Sequence, residues 1–141
     1  MQEKWKNAAQ QETPELLLSD GEWEIMKVLW QQSPKTITQL VAVLKESTGW
    51  TKHTVITMLG RMEKKGAVYY EEGNRAKEYY PAVKEREAVR SRTERFLQKV
   101  YDGSLGLMLN AIVQEKSLSR GELDQLYEIL KQAQQREEEG R

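Results

Sequence analysis

The sequence predicts a mainly α-helical protein carrying one small β-hairpin. Two observations carry this. Apolar residues recur at i, i+3, i+4 and i+7 in several separate stretches, most of them opened by a Ser or Thr. Between residues 67 and 82 the pattern changes to Val- and Tyr-containing runs on either side of Gly73-Asn74-Arg75. Two short helices, a tight turn, a third helix with a basic end and then a two-stranded flap make a winged helix-turn-helix. A second α-helical region follows it.

Composition sets the limits. The 141 residues suffice for one ordinary domain, or one domain with an appendage. Charged residues make up 31% and mean hydropathy is −0.77, yet the apolar residues are grouped, so a core is expected. No apolar run approaches the ~20 residues of a membrane span. Leu16-Leu17-Leu18 is too short for a signal peptide. A cytoplasmic protein without membrane insertion is expected. The absence of cysteine excludes disulfides, zinc fingers and thiol chemistry. Net charge is zero, with 22 basic and 22 acidic residues, which argues against nucleic-acid binding by the chain as a whole. The local balance differs. Lys52, Arg61, Lys64 and Lys65 stand against Glu63 alone over residues 51–66, and Arg75 and Lys77 follow in the hairpin. Phosphate binding depends on the charge of the contacting face.

Residues 1–15 read as a flexible leader and 16–83 as the winged-helix domain. Ser19, with Glu22 three residues later, makes a capping box, and Leu18 can staple onto Trp23. That helix runs to Gln31 and is expected to bury Trp23, Met26, Leu29 and Trp30; Ser33-Pro34 breaks it. Thr36 caps the next helix, with Ile37, Leu40, Val41 and Leu44 as its stripe and Gly49 in the turn beyond. A plain three-helix core without a ligand would show the same stripes.

The helix over 51–65 carries more information. Thr51 caps it, Gly66 stops it, and Val55, Met58, Leu59 and Met62 face inward. The opposite face carries His53, Thr57, Gly60 and Lys64, flanked by Ile56 and Arg61, with Lys52 and Thr54 near the start. Short side chains and a glycine let a helix come close to base edges. Ile56 can touch a thymine methyl. Gly60 costs ~1 kcal/mol against Ala inside a helix, so it invites a reason. A solvated face is the alternative for each residue. Arg61, late in the helix, is expected to hold a phosphate or to pair with Glu22 or Glu24, with direct reading of a guanine as the alternative. In the hairpin, Tyr69, Tyr70, Tyr79 and Tyr80 should pack one of each pair inward, and Asn74, Arg75 and Lys77 lie near the tip. Glu71, Glu72 and Glu78 favour an ordinary surface hairpin.

Residues 84–131 read as a helical dimerisation region. Val89, Phe96, Leu97 and Val100 line one side of a first helix, which Asp102-Gly103-Ser104 ends. Leu105, Met108, Leu109 and Ile112 line a second. Ser119 and Glu122 cap a third, which carries Leu123, Leu126, Tyr127 and Leu130. Three amphipathic helices need a partner to bury these faces, either a second copy or the chain's own first domain. Residues 132–141 read as a flexible tail.

Leu18-Ser19, then EWEIMKVLW over 22–30 and GWTKHTVITMLGRMEKKGAVYYEEGNRAKEYYPAV over 49–83, resemble the bacterial penicillinase repressor family. That family holds the β-lactamase and methicillin-resistance repressors and copper-responsive relatives. The resemblance extends over about residues 18–131. It implies a dimeric, sequence-specific DNA-binding transcriptional repressor on a dyad-symmetric operator, controlling β-lactam resistance or a related stress response. The recognition helix falls on 51–65 and the wing on 67–82. Copper-responsive members carry a cysteine-rich metal site; this chain has no cysteine, so no metal and no cofactor are expected. In β-lactam-responsive members a membrane sensor protease cuts within the dimerisation region. The matching stretch is Leu109-Asn110-Ala111, making Asn110 and Ala111 the candidate site, though those repressors have an aromatic residue after the Asn.

The alternative is a winged-helix module that binds protein and not DNA, in keeping with the zero net charge. An enzyme is not expected. No nucleophile–base–orienter set, phosphate-cradling glycine loop or metal cluster is present in the sequence.

Overall fold

A computed structural model describes residues 17–140. The leader expected over 1–15 lies outside them. Six helices and one hairpin follow in the order α1 (Asp20–Gln31), α2 (Ile37–Thr48), α3 (Lys52–Lys65), β1 (Val68–Glu72), β2 (Lys77–Pro81), α4 (Glu85–Tyr101), α5 (Leu105–Glu115) and α6 (Arg120–Glu139). The mainly helical fold with a small wing is the one the sequence predicts.

Local chemistry sets the helix starts. Ser19 Oγ accepts from Glu22 N, and the Glu22 carboxylate accepts from Ser19 N in return. Thr36 and Gln39 do the same for α2, and Ser119 and Glu122 for α6. Each box satisfies two backbone N–H groups that would otherwise lack partners. Gly49 and Gly66 end α2 and α3 at φ +66° and +81°, where a side chain would be strained.

The core lies under α1, α2, α3 and the hairpin. Ile25, Met26, Leu29, Leu40, Val55, Leu59 and Met62 are its most deeply buried apolar side chains. Trp23 and Trp30 are half-buried against it and not inside it; they meet edge to face at 5.5 Å. The positions α1 does bury include Ile25, Val28 and Glu22, which the expected stripe omitted. An indole is too large to fit wholly beneath a twelve-residue helix in so small a core.

The two strands pair antiparallel, Val68 opposite Pro81 and Glu72 opposite Lys77. A bridge between Lys35 and Tyr79 extends the sheet, with Lys35 N donating to Tyr79 O at 3.1 Å and Tyr79 N to Lys35 O at 2.9 Å. Tyr79 is buried and Tyr70 packs beside it, while Tyr69 and Tyr80 stack at 5.2 Å on the other face. This is the expected alternation.

Glu22 is the one buried charged residue among the described residues, 2% exposed. Burial pushes its carboxyl up, but hydrogen bonds from Lys65 Nζ and Ser19 N, with the ammonium's charge, outweigh burial and leave it below the usual carboxylate range. A carboxyl lowered on folding contributes stability above its unfolded value and loses it as pH falls through the folded one. Wild-type protein should therefore lose stability below about pH 4.5, and Glu22→Gln should lose less over the same interval. Parallel acid titrations followed by circular dichroism test this; equal losses would show that Glu22 does not govern acid stability.

The chain divides into two compact units, the second beginning at Glu94. The division falls inside α4, ten residues beyond the expected start of the dimerisation region at 84. The first turns of α4 belong to the first unit: Ala88 is buried, and Arg92 Nη1 donates to Leu18 O at 3.1 Å, with Nη2 3.4 Å from Asp20 Oδ1. Trp30 Nε1 also ties to Val83 O at 2.9 Å.

In the second unit, neither α5 nor α6 buries any residue. Phe96, Val100, Leu105, Leu107, Ile112, Val113, Leu123, Tyr127, Ile129 and Leu130 are all exposed, while Met108, Leu109 and Leu126 are half-buried. Helix α6 continues to Glu139, through the residues expected as a flexible tail. Gln, Glu, Lys and Arg are good helix formers, and no stop signal precedes Gly140. No described helix is long and apolar enough to cross a membrane.

Candidate nucleic-acid interface

Helix α3 is held by its inner stripe and presents its outer face. Val55, Met58, Leu59 and Met62 are all buried. Thr51 Oγ1 accepts from Thr54 N at 3.2 Å and lies 3.1 Å from Thr54 Oγ1, fixing the first turn. The outer residues His53, Ile56, Thr57, Gly60, Arg61 and Lys64 are exposed, as are Thr51 and Lys52, while Thr54 is half-buried beneath the turn. Ile56 is 44% exposed. Thr57 Oγ1 donates to His53 O at 3.0 Å, and the residue is exposed.

Gly60 supplies a second kind of observation. A Cβ built there meets nothing within 4 Å among the described residues, so packing against them does not require the glycine. The ~1 kcal/mol that a mid-helix glycine costs has no internal return. A surface that must let another molecule's backbone come close would account for it.

Arg61 has no hydrogen-bond or ion-pair partner among the described residues. The acidic partners considered for it are otherwise engaged, Glu22 by Lys65 at 2.6 Å and Glu24 by Lys27 at 3.7 Å. The pairing expectation is therefore corrected: Arg61 stands open at the edge of the outer face. The neighbouring Lys65, which the basic run grouped with Lys64, is turned inward.

At the wing, Gly73 N donates to Ala76 O at 3.0 Å and closes the tip, leaving Asn74 and Arg75 exposed. Lys77 lies 4.2 Å over the Tyr70 ring. The electrostatic pull of Tyr70, chiefly, holds its ammonium above the usual lysine range. Glu71 faces Glu78 across the strands, on the side of the Tyr69–Tyr80 stack. The wing thus has an acidic, aromatic side, and a tip that exposes Asn74, Arg75 and Lys77 beside Glu72. Sequence reasoning missed Tyr70 as the support for Lys77. The signal was available, because Lys77 pairs with Glu72 and residues 70 and 72 share a face.

Among the described residues no group of His, Asp or Glu is arranged to hold a metal ion. Asn110 and Ala111 lie in the middle of α5, where Asn110 Oδ1 accepts from Gln114 Nε2 at 3.4 Å.

The family model for the penicillinase repressor matches residues 18–132. A penicillinase repressor of Bacillus licheniformis is 32% identical over 122 residues, covering 86% of this chain and 95% of that one. The methicillin resistance regulatory protein MecI of Mammaliicoccus sciuri is 26% identical over 113 residues, covering 80% of this chain and 92% of that one. Among solved structures, the monomeric form of Bacillus licheniformis BlaI in complex with the blaP half-operator aligns with 34% identity over 50% of this chain and 87% of that one, at a TM-score of 0.45.

Proposed function

The chain belongs to the penicillinase repressor family, and on that premise we propose that it is a DNA-binding transcriptional repressor. It acts as a homodimer on a dyad-symmetric operator. The observation that carries this reading is the outer face of α3. That face is largely polar and exposed, open at Gly60 and bordered by the exposed Arg61 and Lys64, while the inner face is committed to the core. Such a face can enter a major groove. Arg75 and Lys77 at the wing then lie along the phosphates.

The contacts divide by type. Thr57, Ile56, His53 and the open backbone at Gly60 read base edges near the start and middle of the helix; Thr51, Lys52 and Thr54 hold its entry against the backbone. Arg61, Lys64, Asn74, Arg75 and Lys77 hold phosphates. Dimerisation is supported by the second unit: its apolar side chains are exposed along α4, α5 and α6, and α5 and α6 bury no residue of their own. The partner is a second copy. Control by a sensor protease acting at Asn110–Ala111 would require α5 to open locally, since a peptide bond inside an intact helix does not fit a protease cleft. The protein works in the cytoplasm, where its DNA lies.

Duplexes selected from a random library, bound at several salt concentrations, test the reading. Wild-type affinity should fall with a log–log slope of about −0.9 per neutralised phosphate. Thr57→Ala should change the selected bases. Arg75→Ala and Arg61→Ala should weaken selected and random duplexes alike and reduce the slope by about one contact. If Arg61→Ala weakens only the selected duplex, Arg61 reads a base. Salt-independent or absent duplex binding would favour a protein-binding module instead.

A further inference from the structure

Lys65 sits beside Lys64 at the basic end of α3, and sequence position alone would give both to the phosphates. The geometry separates them. Lys64 is exposed. Lys65 Nζ lies 2.6 Å from Glu22 Oε1 and donates to Leu17 O, also at 2.6 Å. We propose that Lys65 is a positioning residue, which seats the recognition helix on α1 through Glu22 and does not contact DNA. This rests on the repressor reading above.

Four observations converge on it. The Glu22 carboxylate is buried, and Lys65 is the cation that neutralises it. Its second oxygen, Oε2, has no partner among the described residues, so the charge depends on Lys65 and on the capping hydrogen bond from Ser19 N at 2.8 Å. The carboxylate is three residues into α1, at the positive end of that helix, and the ammonium is on the last residue of α3, at the negative end. One ion pair therefore complements two helix dipoles at once. Finally, Lys65 reaches Leu17 O in the segment that enters α1, which ties the start of α1 to the end of α3.

An ammonium bound to a carboxylate and a carbonyl has little left for a phosphate. Its removal should act on the placement of α3, and hence on operator recognition, without removing a counterion-releasing contact. The test compares Lys65→Met with Lys64→Met, each alone and with Glu22→Gln, which keeps the capping box. Operator and random duplex affinities are measured against salt, and melting is followed for each protein. Lys64→Met should reduce the salt slope by about 0.9 and weaken both duplexes equally. Lys65→Met should leave the slope unchanged, lower the melting temperature, and reduce the operator-to-random ratio about tenfold. In the Glu22→Gln background, where no buried charge is orphaned, Lys65→Met should cost less than half as much in melting temperature. Operator affinity there should lie within about threefold of Glu22→Gln alone. A slope reduced by about 0.9 for Lys65→Met would make it a phosphate contact and overturn the proposal. So would an equal loss of melting temperature in the two backgrounds. If the wild type binds no duplex, the repressor reading fails, and the melting comparison alone then decides whether Lys65 seats α3 on α1.

Discussion

Leu126→Asp is expected to turn the protein into monomers and to weaken operator binding by two to four orders of magnitude. Leu126 is half-buried on α6, between the exposed Leu123, Tyr127 and Leu130; Tyr127 is 72% exposed in the single chain. A second copy would cover this face. A carboxylate there would lose its water without gaining a partner, at a cost of several kcal/mol. The effect on DNA follows from linkage. In a dimer the second half-site is engaged at high effective concentration, which is worth about 10²–10⁴ in affinity. Monomers keep the contacts of α3 and the wing but lose that factor. Sedimentation at micromolar concentration reads the first effect, and binding to full and half operators the second. A dimeric Leu126→Asp protein would move the interface off α6. A wild type that sediments as a monomer would remove it altogether.

The second large effect separates two residues of one helix. Leu59 is 0% exposed and lies in the core with Ile25, Met26 and Leu40. Leu59→Ala removes three carbons and leaves a cavity, for a loss of about 3 kcal/mol. In a domain of this size the melting temperature should fall on the order of 10–20 °C. Ile56, three residues earlier, is turned outward. Ile56→Ala should leave stability within about 0.5 kcal/mol of wild type. It should nonetheless lower operator affinity about tenfold, by the removal of an apolar contact to a thymine methyl. Melting curves with binding isotherms measure both. An Ile56→Ala protein as unstable as Leu59→Ala would place Ile56 in the core, and one unchanged in both respects would show that this part of α3 does not touch DNA.

What could be read from the sequence was what is decided within one turn or one strand. Ser19, Thr36, Thr51 and Ser119 cap the helices they were expected to cap, because a cap needs only its own hydroxyl and a backbone N–H three residues on. The inner stripe of α3 needed only the helical period, and the tyrosine alternation only the pleat. The residues on the outer face of α3 were legible as the complement of that stripe. Residues 132–139, part of the stretch expected as a flexible tail, continue α6. Gln, Glu, Lys and Arg favour extension of a helix that is already under way.

The contacts that depend on residues far apart in the chain were decided by the tertiary structure alone. Lys65 and Glu22 are 43 residues apart, and nothing near either shows that they meet. The same holds for the Lys35–Tyr79 bridge, for Trp30 on Val83 and for Arg92 on Leu18. Local sequence determined which face α2 and α3 turn inward, since periodicity is a property of one segment, but in α1 Ile25 and Val28 are buried where Trp23 and Trp30 were expected. It could not determine which of two adjacent lysines turns inward, since that depends on where another helix places a buried carboxylate.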